Sequence, residues 1–201
     1  MKKFRISPQS RLATKYLCIT WEACPPAFLE RMKSLAEMPK NCFSLNRLCA
    51  VATHYAEGHL FFYYRADTDW DNKRLQSWLR CQIRDYVYTV AGIVLPHRLH
   101  EFEQKYGLYS KGVSVKNLRG STLGYCTAFN HIALSPRIMF FKERDMDSVI
   151  LHEMAHLRYR HHRATFWNFL SLLLGEDSRI QKTRMDMENI KFYEYSLFFC
   201  R

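Results

Sequence analysis

The chain contains His152, Glu153 and His156 in an H-E-x-x-H pattern, a set of residue types that can bind a metal ion and activate water. On a helix, residues four apart lie on the same face, one turn from each other, so the two histidines can offer imidazole nitrogens to one metal. Glu153 follows the first histidine, where its carboxylate can reach a water molecule at that metal. The pattern predicts metal-assisted hydrolysis of peptide bonds.

Two further histidines, His161 and His162, could complete the ligand set. An H-E-x-x-H pattern arises by chance in roughly 0.02 of chains of this composition, and a third histidine at a suitable distance lowers that by about another factor of 20. The alternative is a surface helix that carries histidines by coincidence. Spacing favours His162, because H-E-x-x-H-x-x-x-x-x-H is the commoner pattern.

The third ligand requires the chain to turn after about Leu157. On an unbroken helix His162 would point about 80° away from His152 and lie about 15 Å further along the axis. Metalloproteases with this spacing often have a glycine in the turn, but here Tyr159 occupies that position and no glycine lies between His156 and Gly175. The turn must therefore form without glycine's freedom at positive φ.

A helix from about Asp145 to Tyr159 is predicted to carry the motif, with Asp145 and Asp147 as acceptable N-caps. Its apolar side chains recur at helical spacing, which predicts packing against a core: Val149, Ile150, Met154 and Leu157. Before it, apolar residues from Leu75 to Tyr106 predict a long helix that Pro96 kinks or restarts. Strands are expected over residues 111–118 and 125–134, and a further helix over 165–174, ended by Gly175.

The N-terminal part of the chain is predicted to be rich in strands. The segments 16–21, 50–55 and 60–65 have strand character, and Glu57-Gly58 suits a hairpin turn between the last two. The sequence thus predicts an α+β fold: a strand-containing N-terminal portion, residues 1–70, packed on a core domain, residues 71–201. In that core the metal-binding helix packs beneath a small twisted sheet.

Composition restricts the class of protein further. The 201 residues are 48% hydrophobic and carry a formal net charge of +11, which invites a nucleic-acid interpretation, but residues 146–201 hold 8 basic and 7 acidic side chains and no dense basic run occurs. No signal peptide and no membrane span is expected. The seven cysteines lack C-x-x-C spacing, which predicts reduced thiols in a cytoplasmic protein: Cys18, Cys24, Cys42, Cys49, Cys81, Cys126 and Cys200.

The residues from Ile132 to Trp167 resemble the YgjP-like metallopeptidases, a zincin-like family. The shared features are an I-x-L segment, an aspartate before an apolar triplet, the H-E-x-A-H-L run, a histidine six residues on and a closing Phe166-Trp167. The match favours His162 over His161, because His162 holds the family's place relative to Phe166-Trp167. More distantly, the layout is similar to SprT-like proteases, which act on proteins bound to DNA.

The resemblance implies Zn²⁺ bound by His152, His156 and His162, with Glu153 as the catalytic base and a protein or peptide as substrate. Three positions depart from the family pattern: residues 118–122 keep only Gly-Ser of an R-W-G-S-C run, Ala133 replaces an asparagine, and Lys142-Glu143 replaces paired prolines. The competing hypothesis is a zinc-stabilised binding module, possibly for nucleic acid, without catalysis. Glu153 favours the enzyme, because a closed structural zinc site has no use for a carboxylate there.

Overall fold

The fold is α+β, as the sequence predicts, in a computed structural model that describes residues 5–10, 13–35, 41–45 and 47–183. The chain forms two compact units, Met1–Tyr86 and Val87–Arg201, and the division falls inside a long helix. The expected boundary at residues 70 and 71 stays a prediction.

The first unit is built on a four-stranded sheet and one short helix. The strands are β1 (Cys18–Ala23), β2 (Cys42–Leu45), β3 (Leu48–Ala56) and β4 (His59–Tyr64), and helix α1 spans Pro26–Leu35. The strand order is β1-β4-β3-β2, with β1 parallel to β4 and the other pairs antiparallel. The hairpin predicted at Glu57-Gly58 is confirmed, and both residues adopt positive φ in its turn.

Helix α2 spans Lys73–Tyr106 and runs through Pro96 without interruption. Of the two predicted outcomes, a restart of the helix at Pro96 is wrong, and a kink there stays a prediction. A proline has no N–H to donate to the carbonyl four residues earlier, so α2 lacks that one hydrogen bond at Pro96 and continues on both sides of it. Gly107, with φ of 64°, follows the end of the helix, as the sequence predicts.

The second unit contains a three-stranded sheet that lies beside the motif. Its strands are β5 (Gly112–Val115), β6 (Gly124–Cys126) and β7 (His131–Leu134), in the order β5-β7-β6. Strand β5 is parallel to β7 and β6 is antiparallel to it, so β6 forms one edge. A 3-10 helix, Pro136–Phe140, then leads to helix α3, Glu143–Ala155, and α3 contacts β6.

Helix α3 carries the motif but begins earlier and ends earlier than predicted. Its N-cap is Lys142, so the expectation that Asp145 or Asp147 caps it is wrong. Asp145 lies in the first turn, where a carboxylate still suits the positive end of the helix dipole. Asp147 instead accepts two hydrogen bonds from Arg98 of α2, at 2.8 and 2.7 Å.

Helix α4, Ala164–Leu174, confirms the predicted helix after the motif and ends at Gly175, which has φ of 68°. The second unit therefore runs helix, small sheet, motif helix, C-terminal helix, in the expected order. Among the described residues, no helix is long and apolar enough to cross a membrane.

Candidate metal centre

The structure brings together the three histidines named from the sequence. His152 and His156 project from successive turns at the end of α3, and His162 returns to them from the following turn. The ligand atoms of the three side chains lie within 4.8 Å of one another, and Nε2 of His152 is 3.1 Å from Nε2 of His162. His161 lies outside this cluster, and its Nδ1 is 3.3 Å from the backbone nitrogen of Arg163.

Local contacts set the protonation state of two of these imidazoles. Nδ1 of His156 lies 2.9 Å from the carbonyl oxygen of Tyr159, and a proton donated in that bond leaves Nε2 as the free, basic nitrogen. Burial lowers the pKa of His152 to about 3, with His156, His162 and Lys182 contributing in the same direction. Burial also lowers the pKa of His156. Neutral imidazole is the form that binds metal.

The chain turns sharply between α3 and α4 without glycine. The helix ends at Ala155, and Leu157 and Arg158 bond to carbonyls only three residues back. None of residues 156–163 has a positive φ. The turn that the sequence predicts after about Leu157 is thus present, and residues with negative φ form it.

Arg160, in the middle of that turn, binds the hairpin between β6 and β7. Its guanidinium donates to the carbonyls of Thr127 and Ala128 and to the side-chain oxygen of Asn130, and it contacts Sγ of Cys126 at 3.4 Å. Asn130 has φ of 62°. A side chain therefore anchors the turn at several points, where related turns use the conformational freedom of glycine.

Phe166 and Trp167, near the start of α4, pack against the histidine cluster. The ring of Phe166 is fully buried, and its centroid lies 4.6 to 5.0 Å from the centroids of all three imidazoles. The indole nitrogen of Trp167 donates to the carbonyl oxygen of His162 at 2.9 Å. Phe166 thus fills the space beneath the imidazoles, while Trp167 fixes the backbone that presents His162.

Glu153 lies on the inner side of α3, under the edge strand β6. Its side chain is only 6% exposed, and burial raises the pKa of its carboxyl to about 8. Gly124 of β6 covers it so closely that a Cβ at Gly124 would lie 2.8 Å from Cγ of Glu153. The absence of a side chain at Gly124 is therefore what lets the carboxylate occupy this position.

A pocket of about 260 Å³ opens beside His152 and Glu153. Its walls are residues 121–124, helix α3, Trp167 and residues 181–182. The pocket wall does not include Arg158, Tyr159 or His131, whose side chains have other partners. The Tyr159 ring packs on Phe169, the Arg158 guanidinium lies over both of those rings, and His131 contacts Ser114 at 3.1 Å.

The loop at residues 118–122, where the chain departs from the family pattern, is held by Arg137. The Arg137 guanidinium donates to the carbonyls of Leu118, Gly120 and Thr122 at 3.1, 2.7 and 2.7 Å, and also to Oγ of Ser135. Ser121 and Thr122 form part of the pocket wall. The loop therefore keeps a defined backbone path despite its altered sequence.

Gly124, Arg160 and Arg137 are missing from the set of residues chosen from the sequence. Gly124 is a single glycine before a predicted strand, and the sequence does not indicate that it packs against Glu153. The lack of glycine between His156 and Gly175 did indicate that something else must hold the turn, but it could not name Arg160, whose partners lie about 30 residues away. Arg137 gives no sequence signal.

Comparison with known proteins agrees with this arrangement. The sequence model of the YgjP-like metallopeptidase domain matches residues 52–187. The chain belongs to the YgjP-like metallopeptidase family. Membership of a metallopeptidase family implies a metal ion and a protein or peptide substrate. No curated protein sequence matches the chain significantly.

Among solved structures, the chain is similar to the metallopeptidase zymogen abylysin of Pyrococcus abyssi, with a TM-score of 0.40 and 21% sequence identity. The similarity covers 46% of this chain and 91% of that one.

Proposed function

We propose that this chain is a zinc-dependent peptidase in which His152, His156 and His162 hold the metal and Glu153 is the catalytic base. The observation that carries the proposal is the convergence of three imidazoles next to a buried carboxylate. In structural zinc sites the protein supplies all four ligands. In catalytic zinc sites the protein supplies three ligands, and the fourth position stays open for water or substrate. Among the residues with described side chains, these three histidines form the cluster of possible metal ligands.

The donor set fits zinc by its chemistry and spacing. Two nitrogens bound to one tetrahedral zinc at roughly 2.1 Å lie roughly 3.4 Å apart, close to the 3.1 Å between the Nε2 atoms of His152 and His162. The Tyr159 carbonyl that accepts from His156 is the kind of outer partner that metal-bound histidines usually have. When bound, zinc would polarise a water molecule and the substrate carbonyl, and its charge would favour the ionised form of Glu153.

Glu153 performs the proton transfers in this mechanism. Its carboxylate accepts a proton from the attacking water molecule and later gives that proton to the amine that leaves as the peptide bond breaks. Burial beneath Gly124 restricts the carboxylate to few conformations and keeps bulk water from competing for its protons. Burial raises the pKa of this carboxyl in the metal-free chain, and the charge of a bound zinc ion would oppose that effect, so that the group can accept the proton.

Strand β6 offers a place for the substrate backbone. It is the edge strand of its sheet, directly beside α3, and an extended peptide can add to such an edge through main-chain hydrogen bonds. Recognition of this kind depends little on substrate sequence. The expected substrate is therefore an extended or unfolded protein segment.

The decisive experiment is Glu153→Gln in the full chain. We expect the variant to retain zinc at the wild-type ratio and to lose hydrolysis of casein or a fluorogenic peptide by about 10³-fold or more, because proton transfer is removed and the ligands are not. Zinc content by mass spectrometry and cleavage of the same substrate are measured on both proteins. If wild-type protein binds zinc but cleaves neither substrate, the peptidase proposal is refuted and the zinc-stabilised binding module is favoured.

A further inference from the structure

One wall of the pocket beside His152 and Glu153 comes from residues 181–182, which follow α4 and have helical backbone. These two positions are Gln181 and Lys182. Neither belongs to the histidine cluster, and the mechanism proposed above gives neither of them a role. Both are polar side chains at the edge of a site where a peptide substrate would lie.

Gln181 is buried but keeps its amide group available to the pocket. The residue is 6% exposed and lines the cavity. Within the part of the chain that the structure describes, its hydrogen bond is the one from its backbone nitrogen to the carbonyl of Asp177, and its side-chain amide has no partner there. Among the described residues, no buried side-chain nitrogen or oxygen lacks a hydrogen-bond partner, so the amide of Gln181 is open to the pocket, where water or a ligand can accept its N–H.

Lys182 brings positive charge to the same wall. The side chain is exposed, lines the pocket, and lies close enough to His152 to disfavour protonation of that imidazole. No carboxylate pairs with Lys182 among residues 5–10, 13–35, 41–45 and 47–183. Among the described residues that line the cavity, the other ionisable groups are His152 and Glu153, so Lys182 is the exposed cation of this set.

The remaining walls suit a side chain with an acidic end. Leu123, Val149 and Trp167 supply apolar surface, and Ser121 and Thr122 also line the cavity. A volume of about 260 Å³ is below the usual range of roughly 300–1,000 Å³ for small-molecule sites. The pocket therefore has room for one or two residues of a peptide, and no more.

We propose that this pocket binds a carboxylate of the substrate through the ammonium group of Lys182 and the amide N–H of Gln181, and so selects where the chain is cut. The inference rests on the proposed peptidase function. The carboxylate can come from an aspartate or glutamate side chain near the cleaved bond or from the carboxyl terminus of the substrate. Lys182 is then a specificity-determining residue and takes no part in proton transfer.

Cleavage of a peptide library, with each cut located by mass spectrometry, tests the proposal. Wild-type protein is expected to enrich acidic residues at one position near the cut, or cuts near the free carboxyl terminus. Lys182→Ala should remove that enrichment, and Lys182→Glu should replace it with lysine and arginine. Arg179→Ala is the matched control, because Arg179 is exposed and outside the pocket wall, and it should leave the preference unchanged.

A binding measurement separates this inference from the peptidase proposal. Zinc-loaded Glu153→Gln protein is titrated with a fluorescent peptide carrying Glu, with its Gln counterpart, and with each amidated at the carboxyl terminus. The peptide that lacks the carboxylate bound by the pocket should bind about five-fold more weakly. This difference in affinity should shrink as the salt concentration rises from about 0.1 M to about 1 M. The amidated peptides distinguish the terminal source from the side-chain source.

Each result decides the matter. Cleavage without acidic preference overturns the inference and leaves the peptidase standing. A carboxylate preference in binding, with no cleavage by wild-type protein, supports the pocket and refutes the peptidase. If the protein neither cleaves peptides nor binds the carboxylate peptides more tightly, both the peptidase proposal and the pocket proposal are refuted. An equal loss of kcat on Glu and Gln peptides in Lys182→Ala would assign Lys182 to charge development in the reaction and overturn its role in specificity.

Discussion

Gly124 lies directly against Glu153: a Cβ at Gly124 would be 2.8 Å from Cγ and 2.9 Å from Oε1 of that carboxylate. We expect Gly124→Ala to displace Glu153 and to lower kcat/KM by about 10-fold or more while zinc stays bound, since a misplaced general base costs rate and not metal affinity. Steady-state kinetics and zinc analysis on the same preparation measure the two effects separately.

Gly92→Ala is the matched control for this substitution. Gly92 lies in helix α2, has no positive φ, and has open space where a Cβ would be. The added methyl group should raise the free energy of unfolding by about 0.5–1 kcal/mol through helix propensity and leave kcat/KM unchanged. Equal activity of the two variants would show that the contact between Gly124 and Glu153 has no catalytic consequence.

The choice between the adjacent histidines can be tested directly. His162→Ala should abolish stoichiometric zinc binding, or weaken it by about 100-fold or more, because it removes one of three protein ligands. His161→Ala should keep zinc, because its ring lies outside the cluster. Competition with a chromogenic chelator gives both affinities, and a reversed result would make His161 the ligand.

Arg160 is expected to act on the metal through the turn that it anchors. Arg160→Ala removes the donors to the β6–β7 hairpin, so the turn that presents His162 loosens and zinc affinity should fall by about 10- to 100-fold. Arg163→Ala, an exposed arginine close by in the chain, serves as control. The prediction is wrong if the two variants bind zinc equally well in the same chelator competition.

Stability of the metal-depleted protein should depend on Glu153 in a defined pH window. The pKa of this carboxyl is about 8 in the folded chain, against an ordinary value of 4.5, so the folded state binds more protons between those values. Stability therefore falls as pH rises from about 4.5 to about 8. Compared with Glu153→Gln, wild-type protein should lose on the order of 4 kcal/mol across that window.

Urea unfolding of both chelator-treated proteins at pH 5 and pH 8 measures this difference. The two should have similar stability at pH 5, and the Gln variant should be more stable at pH 8. His152, with its lowered pKa, has the opposite dependence at acid pH, but it is present in both proteins and cancels. A constant difference across the window would mean that the carboxyl titrates normally.

Arg98 and Asp147 join α2 to α3 by a two-point ion pair with side chains 27% and 16% exposed. Asp147→Asn or Arg98→Lys should each lower the free energy of unfolding by about 1–3 kcal/mol, because a partly buried charge loses its geometry-matched partner. A double-mutant cycle should give a coupling energy of about 1 kcal/mol or more. The more exposed pair Arg65 and Asp67 should give about 0–1 kcal/mol.

Periodic patterns predicted most of the secondary structure. The strands at 50–55 and 60–65, the helix before Gly175 and the order of elements around the motif follow from spacing and turn residues, which are local properties. The ends of α3 were placed less well, because Lys142 begins the helix while Asp147 is occupied by Arg98. The local sequence makes Asp147 an acceptable N-cap, but it does not show the ion pair with Arg98, which lies 49 residues away in the chain.

The histidines and the glutamate of the site were chosen from their spacing, and the structure brings the three imidazoles together. What spacing could not reveal is the support around them. Gly124 leaves room for the carboxylate of Glu153 because it has no side chain. Arg137 donates hydrogen bonds to carbonyls of a loop 15 to 19 residues earlier. Such contacts depend on the three-dimensional path of the chain and leave no periodic trace.

The position of His162 in the candidate metal centre depends on the turn without glycine, and so on residues outside the histidine cluster. Because the Arg160 side chain supplies the restraint, its partner Asn130, 30 residues away in the chain, shares responsibility for where His162 is presented. Substitutions at Arg160 and Asn130 should be non-additive, since both remove the same hydrogen bond between the turn and the hairpin. The position of His162 therefore depends on two side chains that are not among the candidate metal ligands.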